Sequence, residues 1–212
     1  MKLPVKVLGM CGSLRTQSTN LFSCRVARRR DTVDAPRPRR SALKFMKSQA
    51  PKLGMEMEIA ELKEVPFFNA DTEDDKNAAT VKLLEQFKDA DAFVLASPEY
   101  NYSITPALKN ALDWGSRMPG NEGFKSKAAS MISCGGGFRG GRSQYHLRQV
   151  CVFLDLFVLN KPEVFLSAFD GTFDKETSEL VSTAKQELLV QQLEALKELS
   201  LKLNPQGSNP EF

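Results

Sequence analysis

A doubly wound α/β fold is the class this sequence predicts: a five-stranded parallel sheet in the order 2-1-3-4-5, covered by helices on both faces in three layers. Three observations predict it. Short apolar runs alternate with helix-periodic segments along the chain, the rhythm of a parallel sheet with crossover helices. The run DAFVLAS (91–97) is apolar without interruption, as a strand buried on both faces requires. The polar and aromatic loops GSLRTQSTN and SPEYNYS follow the first and third runs, where this winding reverses and ligand crevices open.

Taken in order, VKVLGMC (5–11) is the first strand. MEMEIAEL (55–62) alternates with period two and ends before Pro66, as a second strand does. Val81, Leu84 and Phe87 fall at helical spacing in NAATVKLLEQFKDA. TPALKNALDWGSR opens with Thr105 at the cap and Pro106 at the first helical position, where a missing N–H costs nothing. KAASMIS (127–133) is the fourth strand, followed by CGGGFRGG and a helix through SQYHLRQVCVFLDL. FVLNKPEVFLS is the fifth strand, interrupted near Pro162. The last helix carries Leu189, Leu193, Leu196, Leu199 and Leu203 as one apolar stripe. One domain over residues 1–203 and a disordered tail over 204–212 are expected.

The chain has 212 residues, 42% hydrophobic and 26% charged, enough for one well-buried domain and too apolar for a disordered one. No run approaches the roughly 18 apolar residues of a membrane helix, and the short apolar start leads directly into a turn, so a cytoplasmic protein is expected. Cys11, Cys24, Cys134 and Cys151 lack C-x-x-C spacing, and His146 is the single histidine. Reduced thiols and no zinc site follow. His146 is expected to pack on its helix or at an interface. Charge is uneven. Between Cys24 and Arg40, seven arginines against Asp31 and Asp34 leave +5 there and −2 elsewhere, for a net +3. No aromatics interleave these arginines, so a nucleic-acid partner is not expected.

Three loops carry the chemistry. In GSLRTQSTN, Gly12 permits a tight exit from the strand, while Ser13, Thr16, Ser18 and Thr19 offer hydroxyls and Arg15 a guanidinium. With a following helix N-terminus, these are the ingredients for holding a phosphate. In SPEYNYS, an aromatic ligand anchored by that phosphate could lie along the turn. In SCGGGFRGGRS, Gly135, Gly137 and Gly140 match G-x-G-x-x-G, but after the fourth strand and with no following acid at the dinucleotide position. Close approach of backbone to a ligand explains these glycines better.

Together GSLRTQSTN, SPEYNYSITPALKNALDW and GGGFRGGRSQYHLRQVCVFLDLFVLNKPE resemble the NADPH-dependent FMN reductases, a flavodoxin-like family. Within it they are most similar to NAD(P)H:quinone reductases of the plant type and to bacterial chromate reductases. The resemblance implies FMN as cofactor, with its phosphate on Ser13, Arg15, Ser18 and Asn20. It implies an isoalloxazine against Pro98, Glu99, Tyr100 and Asn101, with Ser133, Gly135, Gly136 and Gly137 on the other side. NADPH (or NADH) would deliver hydride to flavin N5, and a quinone-like acceptor would then collect two electrons at the same place. The family likeness further implies a homodimer or homotetramer, with Arg142, Tyr145 and Glu163 networked across an interface.

Two departures from the family stand out. Between Asn20 and Pro51 the chain is roughly 19 residues longer than the family's first helix, with the arginine-rich insert over residues 24–40. Pro36 and Pro38 argue against a simple helix extension, so an exposed basic loop or a translated non-coding stretch are both open. Arg139 places a long side chain in the glycine loop, where it would obstruct the ring or pair with NADPH phosphates.

Overall fold

The computed structural model describes residues 3–14 and 38–205, with the backbone alone for 38–40. The described elements are β1 Val5–Cys11, α1 Pro38–Gln49, β2 Met55–Ala60, α2 Ala78–Asp89, β3 Ala92–Ser97 and α3 Pro106–Gly115. They continue as β4 Ala128–Gly135, α4 Gly141–Phe153, β5 Phe157–Val158, β6 Val164–Ser167 and α5 Thr183–Leu203. Every strand pairing is parallel, in the predicted order β2-β1-β3-β4-β5.

The fifth strand is in two pieces. β5 pairs Phe157 with Ala128, and β6 pairs Val164 with Ile132. Both lie along β4, so the interruption expected near Pro162 is a bulge within one strand position. A proline there cannot donate to a ladder, and the chain loops out around it.

Alternation along β3 shows why its run is wholly apolar. Ala92, Val94 and Ala96 pack toward α1 and α5 with Leu43, Met46, Leu189, Leu193 and Leu196. Phe93 and Leu95 point to the other face, against Leu83 and Phe87 of α2 and Leu108 and Leu112 of α3. A strand with a core on each side favours apolar residues throughout; the buried Ser97 that ends β3 donates its hydroxyl to Pro98 O. The same register puts Cys134 in the first core and Met131 in the second.

Three expectations need correction. The inward face of α2 is Thr80, Leu83 and Phe87, and Val81 is 42% exposed. Asn77 caps this helix, its Oδ1 accepting from Thr80 N at 2.9 Å, and the helix phase follows that cap. Residues 38–40, assigned above to the insert, belong to α1; proline is tolerated in a first turn, where no intrahelical N–H bond is lost. In the terminal stripe, Leu189, Leu193 and Leu196 are fully buried, while Leu199 and Leu203 are only partly so, because the inward position in this last stretch is Ser200, buried with its hydroxyl near Asp91 O. The remainder of the insert, Cys24 and the tail from 206 lie outside the described residues.

Candidate functional site

Parallel strands deliver their following loops to one edge of the sheet, and here the loops after β1, β3, β4 and β6 meet. Gly12 N–H donates to Ala96 O at 2.8 Å, tying the exit of β1 to β3. A Cβ on Gly12 would run into Thr105 Oγ1 and lie 3.1 Å from Leu108 Cβ, so only glycine admits this approach. Thr105 caps α3, its Oγ1 accepting from Leu108 N at 3.4 Å. Ser13 is buried at 2% exposure beside it. Of the predicted phosphate residues Ser13 is described; Arg15, Ser18 and Asn20 lie outside the described residues, as does the start of the helix expected there.

SPEYNYS is a tight hairpin. Tyr100 and Ser103 exchange both backbone hydrogen bonds at 2.9 Å. Asn101 and Tyr102 between them have φ of 49° and 68°, the double left-handed conformation of a type I′ turn. Asparagine adopts this readily; tyrosine does so at a cost of about 1–2 kcal/mol. The Tyr102 ring is held by the Arg142 guanidinium, 3.6 Å from its centroid. Pro98 is buried and Tyr100 is 42% exposed.

Glu99 is drawn inward from this hairpin, its side chain only 10% exposed. Arg142 Nε donates to Glu99 Oε1 at 2.6 Å, and Nη2 reaches the same oxygen. Glu99 Oε2 is buried with no hydrogen-bond partner. Such an atom is costly unless a donor meets it.

The glycine loop folds back on β4. Ser133 Oγ donates to Arg139 O at 2.7 Å and accepts from Gln144 Nε2 at 2.9 Å. Its hydroxyl is therefore spent on shaping the loop. Gly140 has φ 81°, and a Cβ there would lie 2.7 Å from Ser133 Cβ, which explains the glycine by both conformation and space. By contrast, Gly137 faces open space and Gly136 has Phe169 as its neighbour at 3.8 Å. Arg139, at φ 51°, turns to Asp170, its Nη2 3.4 Å from Oδ2. The Thr172 hydroxyl, donating to Asp170 Oδ1 at 2.5 Å, is the main cause holding that carboxyl below its ordinary range.

Arg142, Tyr145 and Glu163 are not joined within one chain. Arg142 is engaged by Glu99, Glu163 accepts from Lys161 Nζ at 2.8 Å, and Tyr145 is 61% exposed. His146 Nδ1 lies 3.1 Å from Ser103 Oγ, linking α4 to the hairpin.

Sequence reasoning included the loops that hold Tyr102 and Phe138 but gave those side chains no role, and it missed Phe169 and Asp170 as parts of this edge. Asn-Tyr is not the Asn-Gly pair that signals a type I′ turn, and Asp170 follows β6 without any motif. Among the described residues, no cluster of His, Cys, Asp and Glu could hold a metal ion, and no helix is long and apolar enough to cross a membrane. A groove between α1 and α5, lined by Phe45, Gln49, Gln186 and Val190, includes none of the predicted site residues.

Residues 5–171 match the family described as NADPH-dependent FMN reductase. The chain is 45% identical to a NAD(P)H:quinone oxidoreductase of Solanum tuberosum over 205 residues, 94% of each chain. It is 38% identical to a NAD(P)H-dependent FMN reductase of Pseudomonas aeruginosa over 195 residues, 91% of this chain and 94% of that one. In structure it superposes on FerB, a flavoenzyme NAD(P)H:(acceptor) oxidoreductase from Paracoccus denitrificans, with a TM-score of 0.75 and 21% identity, covering 93% of this chain and 98% of that one; this last likeness speaks to the fold. With its parallel sheet and crevice-forming loops in the family's order, the chain belongs to the NADPH-dependent FMN reductase family.

Proposed function

We propose that this protein is an FMN-dependent NAD(P)H oxidoreductase that reduces quinone-type acceptors by two electrons. The observation that carries the reading is the convergence of the β1 and β3 loops at the winding reversal, tied by Gly12 to Ala96 and closed by Thr105.

The described residues suit a flavin. Glu99 Oε2 is a buried acceptor lacking a donor, and the flavin ring offers an N–H. Gly136 and Gly137 leave room for backbone to approach a flat ring closely. On this reading Ser13, Arg15, Ser18 and Asn20 hold the phosphate, and Pro98, Glu99, Tyr100 and Asn101 line the ring opposite Gly135, Gly136 and Gly137. Ser133 acts by shaping that loop. Bound FMN supplies the redox chemistry, so that NAD(P)H, a proton and a quinone become NAD(P)+ and a hydroquinone. The protein's own residues bind and orient, and no side-chain nucleophile is required.

A homo-oligomer is part of the proposal. Tyr145, Val152 and Phe153 on α4 are 61%, 80% and 82% exposed, and a second copy would cover them. A cytoplasmic setting agrees with the unbridged thiols of Cys11 and Cys151.

The test is direct. Purified protein should be yellow and should release FMN on denaturation. Steady-state rates with NADPH and a benzoquinone should give parallel double-reciprocal lines. Protein that neither carries nor takes up FMN at micromolar concentration would overturn the reading.

A further inference from the structure

We propose that Arg142 is a positioning residue for the cofactor: it latches the hairpin after β3 to the glycine loop and turns Glu99 so that Oε2 accepts a hydrogen bond from a ring N–H of FMN. This rests on the FMN reading given above.

Three contacts define the latch. The guanidinium donates to Glu99 Oε1. One of its faces meets Tyr102, and Phe138 lies 4.2 Å from its centre. Tyr102 belongs to the hairpin and Phe138 to the glycine loop, so one side chain from the first turn of α4 grips both walls of the crevice. Only a planar cation can stack on aromatic rings and donate from its edge at once; an ammonium cannot.

The position of Glu99 makes this more than a surface ion pair. Its side chain is nine-tenths buried, and both Arg142 donors go to one oxygen, leaving Oε2 enclosed and without a partner. A buried carboxylate oxygen without a donor is costly, and a ligand N–H would relieve that cost. Here the free one is held in place by the other. The arginine charge also offsets the glutamate's, so the ring meets an acceptor without a net anion beside it. Nothing in this arrangement requires a second copy of the chain, although Arg142 was expected to act across an interface.

Titrating apoprotein with FMN and following flavin fluorescence tests the proposal. Arg142→Met should weaken binding about tenfold, the loss of one well-oriented charge-assisted hydrogen bond. Arg142→Lys should recover part of it. Glu99→Gln should weaken binding comparably, and adding Arg142→Met to it should cost less than a further twofold. The visible absorption maximum of bound flavin should shift in both single variants. Circular dichroism of the Lys variant guards against a folding defect. FMN affinity of Arg142→Met within twofold of wild type would overturn the inference, as would an undiminished Arg142 effect in the Glu99→Gln background. Recovery of affinity at high protein concentration would also overturn it, because the effect would then act through assembly. Wild-type protein that takes up no FMN would instead remove the function reading, and this inference with it.

Discussion

Thr105 Oγ1 occupies the space that a Cβ on Gly12 would need, so the cap of α3 and the exit of β1 share one position. Gly12→Ala must push Thr105 away, with overpacking of about 1–3 kcal/mol. Thr105→Ala alone should cost about 1 kcal/mol, as a lost N-cap. The double variant should be less damaged than the sum, because the second change makes room for the first. Urea midpoints of the four proteins measure this; strict additivity would mean the two residues do not compete for space.

Lys127 predicts a pH dependence. Its Nζ donates to Phe87 O at 2.7 Å and Lys88 O at 3.1 Å, at the last turn of α2. Burial is the main cause lowering its pKa from 10.5 to about 8. Below about pH 8 the amine is charged in both states, and its share of stability is constant. Between about 8 and 10.5 the unfolded chain binds the extra proton, so stability rises with pH. Lys127→Met should remove that rise. Equal slopes of urea midpoint against pH in the two proteins would refute the assignment.

Asp170 shifts stability in the same direction with pH, but at the acid end and because the fold favours its charged form. Its pKa is lowered below 3.8, first by the hydrogen bond from Thr172 and then, with burial opposing, by the Thr172 backbone and Arg139. Its stabilisation is therefore present above pH 3.8 and lost as pH falls through the folded value. The group is well solvated, so Asp170→Asn should cost only about 0.2–1 kcal/mol at pH 7, and the difference should vanish at low acid pH. A difference that persists at pH 2 would point to shape and not charge.

Cys11, Cys134 and Cys151 are buried, and burial pushes the Cys151 thiol up to about 12. Thiolate is the reactive form. A disulfide reagent at pH 8 should leave all three unmodified in the folded protein and label them once urea unfolds it. Peptide mapping reads the outcome, and fast labelling of Cys151 in the native state would contradict its placement.

Arg139→Gly should be nearly neutral for stability. Releasing a left-handed arginine recovers about 1–2 kcal/mol, while glycine's extra chain entropy and the exposed Asp170 pair each return up to about 1 kcal/mol. A melting temperature within a few degrees of wild type is expected. A large fall would mean the Arg139–Asp170 contact holds the glycine loop in place.

Residue order alone determined the sheet order and the sheet edge at which the candidate loops meet, because apolar period and strand–helix alternation are local signals and parallel winding delivers those loops to one edge. DAFVLAS read correctly since a doubly buried strand favours an apolar run over alternation. Other features were decided only in three dimensions. Val81 faces outward because the Asn77 cap sets the phase of α2; Pro38 sits in α1, so excision of the insert must stop at Arg37. The Arg142–Glu99 bond joins residues 43 positions apart, and no periodicity records it. Side-chain partnerships of that range arise from how two loops pack, and packing is a property of the folded chain.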